Sequence, residues 1–315
     1  VTAYDDARSL LTGLGLAPGE VLGHGAEGVA VALPGDRVAK VWHQPSLARA
    51  RAAKATLDAV ARSGLPFATP QVLEVLDPSD TGGVTVTIEA HLPGAQLGRA
   101  YADGDGDGEP LPVDAARVDH LVAVLAALAS VEPTAAMSGL PVLPDEPPFA
   151  AGGDFAEQLA ALVERRVAQA RGPLMAAVPD LGPVTRATVR ALGGLAPARP
   201  ALVHGDLVPM NVHVEDGRVV AVLDLGFLTT AGDPAFDAAV TASIFDMYGP
   251  RHRDSEAILD EAFTTRLGHD PHRFAVHRAA YALATATVFS PDGSDGHFDW
   301  CVQMLRRDDV RAAIA

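Results

Sequence analysis

Among the polar residues of HGDLVPMNVHVEDGRVVAVLDLGF, residues 204–227, His204, Asp206, Asn211 and Asp224 stand next to apolar stretches. Buried polar groups cost free energy unless they find partners, so this pattern asks for one. The segment between Asn211 and Asp224 reads as a hairpin turning at Asp216–Gly217. A hairpin brings its ends together, which sets Asn211 beside Asp224. An amide carbonyl and a carboxylate suit Mg²⁺, a hard cation that takes oxygen ligands and keeps several waters. Asp206 lies ahead of them on the incoming loop. It can accept the proton of an attacking hydroxyl, or orient that hydroxyl. His204 reads as a support that holds the loop by hydrogen bonds.

Two further features lie near the N-terminus. GHGAEG fits a G-x-G-x-x-G pattern at Gly23, Gly25 and Gly28. VAVAL follows the last glycine, so the loop joins strand to strand rather than strand to helix. Such a loop lies over nucleotide phosphates as a flap. Lys40 sits mid-strand in RVAKVW, an unusual place for an ammonium unless it meets an anion. The alternatives are an ordinary Gly-rich hairpin and a lysine that snorkels to solvent.

These residues need elements to position them. Residues 20–42 read as three short strands, with PGD as a turn. The Ala-rich run 46–64 starts at an N-cap, Ser46, and stops at Gly64, so it reads as a helix. TPQVLEVLD and GGVTVTIEAHL supply two more strands. The first 92 residues are therefore expected to form a small antiparallel sheet with one long helix. The chain then turns helical, with candidates at 114–131, 154–171, 181–194, 254–267, 272–289 and 298–313. One β interruption, 202–228, falls inside this half. The fold class expected is α+β in two lobes, residues 1–92 and 95–315, joined by a hinge at about 89–94.

Composition narrows the function classes. The chain has 315 residues, 48% of them hydrophobic, enough for a substantial aliphatic core. Cys301 is the one cysteine, which excludes an internal disulfide and reads as a buried hydrophobe. The start VTAYDDARSL has neither a basic nor an apolar leader region, and no apolar run has the length of a membrane span. A soluble, cytoplasmic protein without membrane contacts is expected. The net charge of −16 argues against nucleic acid, which needs a basic face. It permits a cationic substrate, or serves solubility alone. DGDGDGEPLPVD, with Asp103, Asp105, Asp107 and Asp114, matches part of a calcium-binding loop. Pro110 stands where an aliphatic residue belongs, so an acidic surface loop is the expectation.

HGDLVPMN, DLGF and AGDPAFDAA, in this order behind GHGAEG and Lys40, resemble the aminoglycoside phosphotransferase family and related small-molecule kinases with a protein-kinase-like fold. The resemblance spans residues 20 to about 240. It implies Asp206 as catalytic aspartate, Asn211 and Asp224 as magnesium ligands, and Lys40 on the phosphates of ATP. Asp233 and Asp237 would be structural. Backbone groups around Glu89, Ala90, His91 and Leu92 would meet the adenine edge. The count from Gly94 favours Ala90 and Leu92, the strand pattern allows Glu89 and His91, and backbone recognition leaves GTP open beside ATP. One departure stands out. Such kinases pair the lysine with a glutamate on the next helix, and residues 46–62 contain none. Asp58, Glu27 and Glu74 are the candidate substitutes.

The implied activity is phosphoryl transfer from ATP to a hydroxyl of a small molecule. An antibiotic, aminoglycoside-like or otherwise cationic, is one acceptor class. Asp246, Asp254, Glu256, Asp260, Glu261 and Asp299 could face such a cation, or form solvated helix faces. A sugar, choline-like alcohol or glycated amine is the metabolic alternative. A non-catalytic nucleotide-binding relative is the third reading, supported only by the missing helix glutamate.

Overall fold

The computed structural model describes residues 3–24, 28–44, 46–98 and 112–315. β-branched runs divided by turn residues build its first sheet. Val21–His24 (β1), Gly28–Leu33 (β2), Arg37–Trp42 (β3), Val72–Leu76 (β4) and Val86–Ala90 (β5) pair antiparallel in the order β1-β2-β3-β5-β4. Strand alternation sends Val29, Val31, Leu33, Ala39, Val86 and Ile88 to one face. Ala7 and Leu11 of a helix at Ala3–Gly13 (α1) cover that face. The opposite face carries Ala30, Lys40 and Thr87, which stand directly across from one another. Ala50 and Ala53 of Leu47–Ala61 (α2) pack there on Trp42. Ser46 caps α2 by accepting the Arg49 N–H. The sequence reading gave this region one helix, and α1 is a second.

The chain leaves this sheet through Gly94, whose φ is +82 and whose Cβ, were there one, would lie 2.5 Å from Val220. Ala95–Gln96 (β6) then joins Val212–Glu215 (β8) and Arg218–Val222 (β9) in a second sheet, ordered β6-β8-β9. Ala68 adds to the edge of β9, donating to Val220 O and accepting from Val222 N. Two segments of the N-terminal half are thus tied to the hairpin that carries the polar residues. Ala201–Val203 (β7) and Thr230–Gly232 (β10) pair beside it.

Around these strands lie Ala115–Ser130 (α3), Phe155–Gln169 (α4), Arg171–Ala177 (α5), Leu181–Gly194 (α6), Pro234–Ile244 (α7), His252–Leu267 (α8), Pro271–Thr285 (α9), Gly296–Arg306 (α10) and Asp308–Ile314 (α11). Asp114, Asp154, Asp270 and Asp295 cap α3, α4, α9 and α10 by accepting backbone N–H groups. Asp103, Asp105 and Asp107 of the acidic loop lie outside the described residues, and Asp114 serves as a helix cap. α7 was not among the expected helices. Every residue from Ala235 to Ile244 is buried, so it carries no polar stripe from which helical periodicity could be read. The helix expected over 298–313 is two, broken at Arg307, whose backbone is extended. Cys301 is fully buried, and burial pushes its thiol up. Among the described residues no helix is long and apolar enough to cross a membrane.

Asp233 fixes the start of α7 and ties it to α9. It accepts the Ala235 N–H at 2.9 Å and sits 3.0 Å from His277 Nε2, and it also accepts from Arg273 Nη1. Burial pushes its carboxyl up, but the His277, Ala235 and Arg273 hydrogen bonds outweigh that and hold it well below the usual carboxylate range. A lowered folded pKa stabilises the fold above the unfolded value of roughly 4 and is lost as pH falls below it. Asp233→Asn should therefore cost about 2 kcal/mol at pH 7. The gap in melting temperature from the unsubstituted protein should shrink as pH drops below about 4. A gap that stays constant down to acid pH would show that the Asp233 charge is not what stabilises this junction.

Candidate active site

The turn of the β8–β9 hairpin sets the geometry. Asp216 and Gly217 have φ of 50° and 71°, the left-handed pair that a two-residue hairpin turn requires. Val212 then faces Val222, and Leu223 N donates to Asn211 O at 2.8 Å. Asn211 and Asp224 emerge together at the open end, as the hairpin reading expects. Asp224 itself is left-handed, at φ 59°, a conformation Asp tolerates. Leu228 at φ 56° does so against its side-chain sterics. These two residues bracket a tight loop, and Asp224 is exposed at its start.

The loop that carries Asp206 is held from below. Asp237 of α7, itself buried, accepts the backbone N–H groups of His204 and Gly205, each at 2.8 Å. Burial pushes its carboxyl up, while His204 and the two backbone bonds oppose the shift. Gly205 has φ +86, and a Cβ there would lie 2.4 Å from Phe227 O and 2.6 Å from the Leu228 side chain. Only glycine lets the two loops approach this closely. His204 joins them: its Nε2 is 2.7 Å from Leu223 O, and its Nδ1 accepts the Asp206 N–H at 3.2 Å. Those partners place the ring proton on Nε2. Thr229 Oγ1 donates to His204 O at 2.7 Å, a contact that no sequence pattern announced.

Asp206 is thereby fixed through its own backbone. Its carbonyl accepts Asn211 Nδ2 at 2.8 Å and Val208 N at 3.0 Å. The amide nitrogen of Asn211 is used in this way, which leaves Oδ1 as the atom it could offer to a cation. The Asp206 carboxyl is pushed up, to about 6, first by burial, then by the nearby negative charges of Asp224 and Asp237, with His204 opposing. The Asp224 carboxylate and the Asn211 amide oxygen, brought to the same end of the hairpin, form a hard oxygen donor set. That set fits Mg²⁺, which takes one or two protein carboxylates and completes its shell with phosphate and water.

The nucleotide side is assembled by the first sheet. β1 and β2 are antiparallel strands on either side of the glycine loop, so the strand–loop–strand form is present. Gly25 and Glu27 lie outside the described residues. Gly23 has open space where a side chain would be, whereas a Cβ on Gly28 would lie 2.3 Å from Val41 O. Gly28 thus serves the packing of β2 on β3. Lys40 stands 5.1 Å from the centroid of the Trp42 ring. Asp58 pairs with Lys54 at 3.2 Å, and Glu74 stands across from Ile88, on the opposite face from Lys40. Where the sequence suggests a hinge, Ala90 N donates to Gln71 O and His91 N to Asp36 O. Glu89 accepts the Thr87 hydroxyl at 2.7 Å.

Three of the helical acids are ion-paired to arginines. Arg278 holds Asp260 through both of its terminal nitrogens, and Arg307 holds Glu256, which Arg253 also reaches. Asp254 pairs with Arg251. Asp246 is buried behind Gly249. Asp299 and Glu261 are exposed.

The model of the phosphotransferase enzyme family matches residues 19–277. No curated protein matches at the sequence level. Among solved structures, a thermostable mutant of aminoglycoside phosphotransferase APH(4)-Ia, in ternary complex with AMP-PNP and hygromycin B, superposes with TM-score 0.69 at 17% identity, covering 98% of both chains. The macrolide 2'-phosphotransferase MphH from Brachybacterium faecium gives TM-score 0.56 at 20% identity, over 96% of this chain and 97% of that one. A macrolide 2'-phosphotransferase of type I gives 0.61 at 19%, over 97% and 98%. These likenesses establish the kinase-like α+β fold. With the family model spanning most of its length, the chain belongs to the phosphotransferase enzyme family.

Proposed function

We propose that this phosphotransferase moves the terminal phosphoryl group of ATP to a hydroxyl of a small molecule, with Asp206 as the residue that receives the acceptor. The observation that carries the reading is the double tether of the Asp206 loop: to Asp237 through backbone N–H groups and to the Asp224 loop through His204. A group that must orient a hydroxyl within hydrogen-bond reach gains rate from being fixed in advance. The acceptor oxygen attacks the γ-phosphorus in line. Its proton passes toward the Asp206 carboxylate, and the bond from γ-phosphorus to the bridging oxygen breaks to release ADP. Lys40 would hold the phosphates and Gly23 would let the flap approach them. Asn211 and Asp224 would bind Mg²⁺, which supplies charge neutralisation on the phosphate oxygens when bound. The Ala90 N–H is donated to Gln71 O and the His91 N–H to Asp36 O, which favours Leu92 as the backbone donor to the adenine edge.

Similarity to a protein crystallised with hygromycin B and to macrolide phosphotransferases supports an antibiotic as the acceptor, with resistance as the outcome. The ion pairs that engage Glu256, Asp260 and Asp254 speak against a polycation held by that helix face. Phe227, just past Asp224, stacks on exposed Phe289 with ring centroids 5.9 Å apart. This gives a ring of the acceptor an aromatic surface to lie on.

Two substitutions test the assignment. Asp206→Ala should lower acceptor-dependent ATP consumption by about 10²–10⁴-fold, with ATP affinity kept; normal turnover would remove Asp206 from the mechanism. Asp224→Ala should weaken ATP binding in magnesium by at least about tenfold, measured by calorimetry with and without the metal. An affinity that does not change in saturating magnesium would overturn the metal assignment.

A further inference from the structure

The Phe227 carbonyl lies 2.4 Å from where a Cβ on Gly205 would stand, so this residue closely follows Asp224 in the chain and adjoins the Asp206 loop in space. Its ring lies nearly parallel to that of Phe289, at 15° and 5.9 Å between centroids. Phe289 comes from the link between α9 and α10 and leaves 56% of its surface in water. Single exposed apolar side chains are common, but this one is neither single nor loose. His297 of α10 meets its ring edge-on, at 5.0 Å and 85°. His297 is itself buried, stacked on Trp300, with Nε2 3.1 Å from Thr285 Oγ1. The link beyond Phe289 is stiff. Asp292 accepts the hydroxyls of Ser290 and Ser294, Gly293 N donates to Ser290 O at 3.0 Å, and Asp295 caps α10. An aromatic surface is thus held in water beside the residue that receives the acceptor, at the cost of leaving a ring unburied.

Ligand sites join such apolar aromatic surface to a few placed polar groups, and here the polar group is Asp206. The shape of the pair narrows the ligand. Parallel rings form a plate, whereas a cage for an ammonium sets rings at angles around one point. We propose that Phe289, stacked on Phe227, is a specificity-determining residue of the acceptor site, and that it selects a cyclic acceptor. The C–H face of a saturated ring, a sugar or a macrocycle, would lie on the aromatic pair while a hydroxyl of that molecule reaches Asp206. An open-chain alcohol of the choline type has no ring face to offer. This inference rests on the assignment of Asp206 to the acceptor hydroxyl.

The test offers hygromycin B, a macrolide, glucosamine and choline one at a time. Binding is measured by calorimetry on the protein loaded with magnesium and AMP-PNP, and KM by ATP consumption. At least one cyclic probe should bind more tightly than choline. Phe289→Ala should weaken that binding and raise the acceptor KM by about tenfold, the loss of a buried ring contact, while the KM for ATP moves by less than about twofold. Phe289→Tyr, which keeps the ring, should stay within about threefold, and Phe289→Leu, apolar without a flat face, should lose about fivefold. Because Phe289 is more than half in water, all three variants should keep the melting temperature of the unsubstituted protein. Choline bound as tightly as every cyclic probe, a cyclic probe indifferent to all three variants, or no cyclic probe bound at all would overturn the inference. The transfer reading fails separately. A cyclic probe that binds through Phe289 and never gains a phosphate would contradict transfer and leave the aromatic plate standing. A phosphorylated acceptor whose KM ignores Phe289 would leave transfer standing and remove the plate.

Discussion

One buried carboxylate holds the site together. Asp237 reaches from α7 to accept the N–H groups of His204 and Gly205, just before the residue proposed to meet the acceptor. Burying a charge is costly, and burial does push this carboxyl up. The two short bonds offset that cost, and in return two consecutive peptides of a loop cannot turn. α7 carries the clamp into the interior and is buried along its whole length. Asp233 at its start and the ion pairs of α9 keep the helix from sliding.

From that clamp the rest is short-range. Glycine at 205 allows contact with the Phe227 carbonyl, and His204 bridges to Leu223. The hairpin turn at Asp216–Gly217 returns the chain beside Asn211. Asp224 and Leu228 adopt left-handed backbone at a combined cost of a few kcal/mol. Such strain persists only where surrounding structure demands it, here around the proposed metal ligand. The nucleotide side is joined to this frame by β6 and Ala68, which pair with the same hairpin.

The legible parts of the sequence were those governed by local rules. Asp-Gly between alternating apolar runs fixed the hairpin and hence the meeting of Asn211 and Asp224. The N-cap Ser46 marked the start of α2. α7 was missed because a helix buried on every side has no stripe to read; α1 was missed although Ala7 and Leu11, with Leu10 beside them, pack on the first sheet. The arginine partners of Glu256 and Asp260 were not legible, because sequence spacing does not say which arginine lies across a helix interface. The Trp42–Thr87 hydrogen bond was not legible, since it joins strands 45 positions apart.

The central claim is transfer of a phosphoryl group to a hydroxyl, and label transfer tests it most directly. The protein, with magnesium and ATP labelled in the γ-phosphate, would be offered aminoglycosides, macrolides, amino sugars and choline-like alcohols one at a time. The account predicts that at least one acceptor gains the label as a phosphate ester, with one ADP formed for each ester. Label recovered only as inorganic phosphate, at a rate indifferent to every acceptor, would contradict it.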